Sequence, residues 1–510
     1  MELISQSVLL ALGILFDPAN LVLLFGAVLA GILVGVIPGL TSSVALGLLL
    51  PLTFTVDKDT AFILLLGIYC GATYGGSIPA ILMNLPGTPT AAVTAVEGYP
   101  MAKRGEGSRA LGIAALSSTT GGLFSCIILI LLSLQLSQVA LLFAGPEYFA
   151  LCVFALVVVV VVSSQSIVKG FLACGMGLLI STIGLDPVNP TPRFTFGIPE
   201  ILIGIPEVPA TIGLFCVAEA YRLLGQPAVV AAYLQSKTSG FILAVREIPK
   251  LWRTWLRSSV IGTFIGILPG TGAVMASFFA YGDARRRSKE RERFGKGAPE
   301  GVCASESANN AVTGGALVPL LTLGIPGDVN TLMLLGAMFV HGLVPGPTLF
   351  IQESQLVFVI FGSMILANLF ILPIGLYLST YIARAALLPA QFIVPIILIL
   401  SITGPAMGYG HIYYFWIAIV FGLLGYVLSR GGFPVLAVAM TLILGPILER
   451  NFRFSLMLSD TGYWIFLTRP ISLGLLLLAL VALVFGLRRE ILARRREEME
   501  ALNVNVEGEK

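Results

Sequence analysis

A chain of 510 residues that is 57% apolar and 11% charged, with a mean hydropathy of +0.95, cannot cover itself with polar surface, so lipid is its main surround. The net charge of +3 sits in four basic runs, Lys103 to Arg109, Arg246 to Arg257, Arg285 to Arg293 and Arg488 to Arg496. Each run adjoins an apolar segment, which excludes the broad basic face on a soluble fold that nucleic acid binding needs. The six cysteines show no CxxC and no paired His spacing, so neither disulfides nor a metal site is expected.

Taken in chain order, residues 1–20 are a short apolar segment without the basic start and small-residue cleavage site of a signal peptide. Leu21 to Thr55, held between Asp17 and Asp57, contains GILVGVIPG from Gly31 and predicts a re-entrant hairpin turning at Pro38-Gly39. Asp57-Lys58-Asp59 follows, then GGSIPAILMNLPG from Gly75, with a second break at Pro86-Gly87, and the basic run at 103–109. Spanning helices are expected over 110–134, 145–163, 166–184 and 199–224. A basic connection, 225–257, reads as cytoplasmic. Ser258 to Tyr281 predicts a second hairpin turning at Pro269-Gly270, followed by the basic loop 283–300 and a fourth break at Pro326-Gly327. Further spans fall at 355–380, 389–404, 411–429, 433–448 and 470–487, and 488–510 is a charged cytoplasmic tail.

The chain repeats itself. Gly31, Gly35, Pro38 and Gly39 match Gly262, Gly266, Pro269 and Gly270 at an offset of 231 (270 minus 39), and Gly75, Pro79, Pro86 and Gly87 match Gly315, Pro319, Pro326 and Gly327 at 240 (327 minus 87). The first half, 21–224, thus carries repeat 1 over about 21–109, and the second half, 258–487, carries repeat 2 over about 258–350. The basic loop 283–300 corresponds to acidic Asp57-Lys58-Asp59, which places the two on opposite sides of a membrane. The expected fold is therefore an all-α polytopic membrane protein, with two inverted repeats, re-entrant hairpins and helices broken at Pro-Gly.

Proline removes a helical donor and glycine takes irregular conformations cheaply, so each Pro-Gly frees backbone groups that lipid tolerates only inside protein or beside a wet cavity. Polar residues gather there: Thr41, Ser42 and Ser43; Asn84, Thr88, Thr90 and Thr94; Thr271; Asn309 and Asn310; Asn330 and Thr331. With Pro38, Gly39, Pro86, Gly87, Pro269, Gly270, Pro326 and Gly327, all of these except Thr94 form the candidate substrate site, since hydroxyls, amides and helix N-termini suit a carboxylate. Packing of small residues is the competing reading, most directly for Gly35, Gly266 and Thr313. The acids Glu306 and Asp328 are candidates for ion coupling, by a proton or by Na+. Their competing roles are a solvated carboxylate at the cytoplasmic edge for Glu306 and a helix N-cap for Asp328. His341 and His411 read as loop or interface residues.

These strings resemble the large membrane subunit of the tripartite tricarboxylate transporter family, the TctA type. The resemblance rests on GILVGVIPGLTSSVALGLLLPLTF from Gly31, GGSIPAILMNLPGTP from Gly75, GYPMAKRGEGSRALG from Gly98, GILPGTGAVMASFFAYGDARR from Gly266 and the segment from Ala298 through GLVPGP at Gly342. It implies a bacterial inner-membrane permease driven by an ion gradient, importing tricarboxylates or related carboxylates with a small four-helix membrane subunit and a periplasmic substrate-binding protein. Cys303-Ala-Ser305-Glu306-Ser307 departs from the Ala-Pro-Glu-Ala pattern that the family more often shows. No Walker-type GxxxxGK[ST] occurs, and no cofactor is expected. A secondary transporter of organic anions working without a binding protein is the alternative. An enzyme finds no Ser/His pair, paired aspartates or HExxH to support it, and a channel is separated from a transporter by saturable, ion-coupled flux.

Overall fold

The computed structural model describes residues 2–163, 166–225 and 240–508; residues 226–239 of the expected cytoplasmic connection lie outside that set. Helices follow one another as α1 Glu2–Leu15, α2 Pro18–Val36, α3 Ser42–Leu49, α4 Lys58–Gly75, α5 Ser77–Met83, α6 Ala91–Lys103, α7 Gly107–Ala140, α8 Gly145–Ser163 and α9 Ile167–Ser181. After a two-residue antiparallel pair, β1 Gly184–Leu185 and β2 Pro192–Arg193, come α10 Glu207–Ile212, α11 Ala218–Leu224, α12 Gly240–Ile267, α13 Gly272–Arg287, α14 Pro299–Leu323, α15 Val329–Val340 and α16 Pro347–Gln352. The chain ends with α17 Ser354–Tyr377, α18 Ser379–Ile382, α19 Ala390–Tyr409, α20 Ile412–Arg430, α21 Val435–Met457, α22 Ile465–Thr468 and α23 Pro470–Gly508.

Nine helical segments among the described residues are long and apolar enough to cross a bilayer. Seven of the expected spans are among them; two are not. Residues 166–184 give only the 15-residue α9, and 199–224 begins with a 3-10 turn and a loop, so regular helix starts only at Glu207 and passes through a π-turn at Gly213–Val217. Pro199, Pro206 and Pro209 explain the second difference, because each removes a backbone donor from a segment whose hydropathy alone is adequate. Conversely, Pro18–Val36 and Lys58–Met83 meet the length and hydropathy for a span.

Two compact units divide the described chain: residues 1–142 with 206–426, and residues 143–205 with 427–510. In the second unit the β1–β2 hairpin is tied to α21 by Arg193 to Glu449 (2.8 and 3.1 Å) and Arg453 to Asp186 (2.6 Å). The N–H of Asn189, the Arg453 guanidinium and the N–H of Val188 hold the Asp186 carboxyl well below the usual carboxylate range. Buried Glu147 accepts from the Ala144 N–H and pairs with Arg469 at 3.0 Å.

The first unit shows what the glycines of the repeat do. A Cβ on Gly31 or Gly35 would strike the backbone of Ile68 or Ala72, and one on Gly262 or Gly266 that of Ala308 or Val312; each contact recurs 231 and 240 residues on. Gly75 against Ile32 likewise recurs as Gly315 against Thr263. Helices α2 and α4, and again α12 and α14, thus approach backbone to backbone, which only glycine at the crossing permits. Alanine lines the same kind of contact between α13 and α14, where Ala276, Ala280 and Ala284 pack with Ala304 and Ala308.

Breaks fall where the sequence puts them, with one difference of mechanism. At the first and third breaks the glycine makes the turn: helix ends at Val36 and Ile267, and Gly39 and Gly270 take φ of +89° and +79°. At the second and fourth, the left-handed residues are Asn84 (φ 56°) and Gly324 (φ 72°), again 240 apart, and Leu85 and Ile325 donate back to the carbonyls of Pro79 and Pro319, both at 3.2 Å. Gly87 and Gly327 instead allow close approach, since a Cβ on either would meet the carbonyl oxygen of Gly35 or Gly266.

Candidate functional site

The four breaks of the first unit open onto one cavity of about 190 Å³. Chain just beyond each break supplies a wall: Thr41, Ser42 and Ser43 from the first, Thr88, Pro89 and Thr90 from the second, Gly272, Ala273 and Val274 from the third, Asp328, Val329 and Asn330 from the fourth. Tyr69 and Thr73 on α4 and Asn309, Val312 and Thr313 on α14 complete it. Apart from Val312, every lining residue pairs with another at the repeat offset, such as Tyr69 with Asn309, Thr73 with Thr313 and Thr88 with Asp328.

No Lys or Arg lines this space, and Asp328 is its one formal charge. Asp328 is the N-cap of α15: one carboxylate oxygen accepts from the N–H and hydroxyl of Thr331, both at 2.8 Å, and the other from the Asn330 amide at 2.9 Å. Ser42 donates to the side-chain Oδ1 of Asn330 at 2.9 Å, joining α3 of repeat 1 to α15 of repeat 2. The N-terminus of α15 is therefore filled by the protein's own carboxylate. That of α13 has no side-chain cap, because Thr271 turns its hydroxyl back to the carbonyls of Ile265 and Leu268 (2.5 and 2.8 Å). Its first turn, Gly272 to Val274, faces the cavity and presents helix-terminal N–H groups, the usual cradle for an anion.

Among the described residues, two buried polar atoms in the wall have no hydrogen-bond partner within 3.5 Å: the Tyr69 hydroxyl, which lies beside Asp328 and Asn330, and the Asn309 Oδ1, whose amide nitrogen donates to the Thr73 carbonyl at 3.1 Å. A buried donor and a buried acceptor left open at equivalent positions mark a place where a polar ligand completes the hydrogen bonding.

Of the residues singled out from sequence, Thr41, Ser42, Ser43, Thr88, Thr90, Asn309, Asn330 and Asp328 line the cavity, as does Thr313. Pro38, Gly39, Asn84, Pro86, Gly87, Pro269, Gly270, Thr271, Asn310, Pro326, Gly327 and Thr331 do not; they shape or brace the wall, as when the Gly270 N–H donates to the Gly327 carbonyl at 2.7 Å. Glu306 lies elsewhere and is fully buried, which overturns the reading of a solvated edge carboxylate. Composition and local motifs do not mark Tyr69, Thr73 and the 272–274 turn, although adding the repeat offset to Thr41, Ser42 and Ser43, or subtracting it from Asn309 and Thr313, points to them.

Two other cavities lie beside α7 and α12, one apolar around Trp252 and Trp255, the other polar around Arg109, Glu247 and Arg293. Neither gathers chain from the breaks.

The family model described as the tripartite tricarboxylate transporter TctA family matches residues 21–440. A protein of Agrobacterium vitis, named an uncharacterized 52.8 kDa protein in the TAR-I ttuC' 3' region, is 36% identical over 97% of this chain and 98% of its own length. A second from that organism, in the TAR-II ttuC' 3' region, is 35% identical over 46% of this chain and 97% of its own. No solved structure matches.

Proposed function

Because the chain belongs to the tripartite tricarboxylate transporter TctA family, whose members are large membrane subunits of transporters, we propose that it carries a carboxylate through the cavity at its four helix breaks. The observation that carries the reading is the composition of that wall: hydroxyls, amides and an uncapped helix N-terminus, with one acid and no fixed cation. An anion gains hydrogen bonds there without a permanent salt bridge to hold it back. A carboxylate beside Asp328 needs a positive charge between them, since two like charges at contact in a poorly hydrated site repel strongly. A coupling cation, Na+ or H+, supplies it; the substrate faces α13 and the cation faces Asp328.

The same reading places the protein in a bacterial inner membrane with a small four-helix subunit and a periplasmic binding protein that delivers the carboxylate. Uptake into proteoliposomes holding the chain and the small subunit is expected to be saturable, to need a cation gradient, and to cease when the binding protein is omitted. Full-rate uptake by the chain alone would favour the organic-anion transporter that works without a binding protein.

The recurring contacts of the repeats, together with the opposite charge of Asp57-Lys58-Asp59 and the 283–300 loop, support inverted halves with hairpins entering from opposite faces. Single cysteines replacing Lys58 and Lys289 are expected to react with an impermeant maleimide from opposite sides; reaction from one side would exclude inversion.

A further inference from the structure

Four acids among the described residues are buried: Glu97, Glu147, Asp328 and Glu306. Glu97, Glu147 and Asp328 each accept at least one backbone N–H. Among the described residues, Glu306 has neither a backbone donor nor a cation. One of its oxygens accepts from the Thr94 hydroxyl of α6 at 2.5 Å and the other from the Ser118 hydroxyl of α7 at 2.8 Å. An ionised carboxylate with no counter-charge in such a place carries a desolvation penalty of several kcal/mol. Hydroxyls also differ from N–H groups in that they turn and accept.

We infer that Glu306 is a proton-binding site, separate from the cavity, formed by two hydroxyls that accommodate the neutral carboxyl. In the neutral state every proton has an acceptor. The carboxyl donates to Thr94, Thr94 to the Ser305 hydroxyl at 2.9 Å, and Ser305 to the carbonyl of Gly301 at 3.1 Å. The same two elements carry the cavity wall: Thr90 lies one turn before Thr94 on the chain, and Asn309 one turn after Glu306. A displacement of α6 against α14 during transport parts Thr94 from Glu306 and exposes the carboxyl, which then releases its proton to water and later recovers one.

Among the described residues, no cation pairs with Glu306, and the titratable groups that come nearest it on the surrounding elements are neutral or acidic. They are Tyr74 on α4, which pairs with Ser379 at 3.2 Å; Glu97 on α6, engaged by Tyr281 of α13 at 2.7 Å; Cys126 on α7, approached by the Asn368 amide; and Cys303 on α14 itself. α12 packs on α14 close to this level, where Gly262 meets the backbone of Ala308.

The coupling role rests on the cavity reading; the protonation itself does not. Infrared difference spectra of the purified chain in lipid nanodiscs, taken between neutral and alkaline pH, are expected to show the carbonyl stretch of a protonated carboxyl that Glu306→Gln removes and Thr94→Val shifts. Coincident wild-type and Glu306→Gln spectra would overturn the proton site and leave the cavity reading standing. A Glu306 band in a chain that moves no carboxylate would overturn the cavity reading alone. In the uptake assay, Glu306→Gln is expected to remove from the alkaline limb of the wild-type rate profile one single-proton step, about tenfold per pH unit, that Asp328→Asn retains. Equal pH profiles would remove Glu306 from coupling. If Glu306→Gln fails to fold, the Thr94→Val shift decides, an unmoved band overturning the assignment.

Discussion

Replacing Glu97 with alanine is expected to destabilise the first unit by about 2–6 kcal/mol, at 1–3 kcal/mol for each of two buried backbone N–H groups left without an acceptor. Glu97 is completely buried on α6 and gathers four donors from repeat 2: the Tyr281 hydroxyl at 2.7 Å and the N–H groups of Gly295, Gly297 and Ala298 at 2.5, 2.7 and 2.7 Å. Gly295 and Gly297 hold φ of +83° and +98°, a backbone that side chains resist, so the loop is shaped around the carboxylate. Arg104, one residue past α6, donates to the carbonyls of Lys296 and Gly297 and fastens the loop a second time. Glu97→Ala should therefore unfold at lower temperature in detergent, and trypsin should cut the loop at Arg291, Arg293 or Lys296 sooner than in the parent chain. Glu97→Gln should lie between, because its amide group opposes donors where the carboxylate accepted them. Parental stability and parental resistance to trypsin in Glu97→Ala would show that the loop is held by other contacts.

The position of Glu97 shows where the sequence stopped being legible. Nothing in GYPMAKRG marks its glutamate-preceded start as buried; its neighbours Lys103 and Arg104 suggest a solvated end, and its partners lie some 200 residues away in a loop that reads as charged surface. The breaks were legible because proline and glycine act locally and because the repeat supplied each of them twice. Which residue makes each turn was less so: Asn84 is left-handed where its counterpart is Gly324, and an asparagine adopts that conformation through its short polar side chain without announcing it. An aromatic on an apolar helix reads as core, and Tyr69 is indeed fully buried; only its hydroxyl, facing the cavity beside Asp328 and Asn330, separates it from Phe62. Hydropathy also failed at 199–224, where it averages over the prolines that stop the helix.

The second large effect concerns the cavity itself, where Thr88 and Asp328 stand at equivalent places in the two repeats with different chemistry. Thr88 is 5% exposed, its hydroxyl 2.9 Å from that of Thr90. It has no charge to offer, so its part is a hydrogen bond to the carboxylate. Asp328 repels a carboxylate and attracts a cation. Asparagine at position 328 remains a good N-cap, so Asp328→Asn removes the charge while keeping α15 in place. The most direct measurement is initial uptake of a carboxylate by reconstituted transporter, titrated separately in carboxylate and in coupling cation, for the parent, Thr88→Val and Asp328→Asn. Thr88→Val is predicted to raise the half-saturating carboxylate concentration about 5–30-fold, equivalent to about 1–2 kcal/mol for a lost hydrogen bond to a charged group, with cation dependence unchanged. Asp328→Asn is predicted to weaken or abolish the cation dependence while shifting carboxylate saturation less. Parental saturation curves for both ligands in both variants would contradict the account, since carboxylate and cation would then bind somewhere other than this cavity.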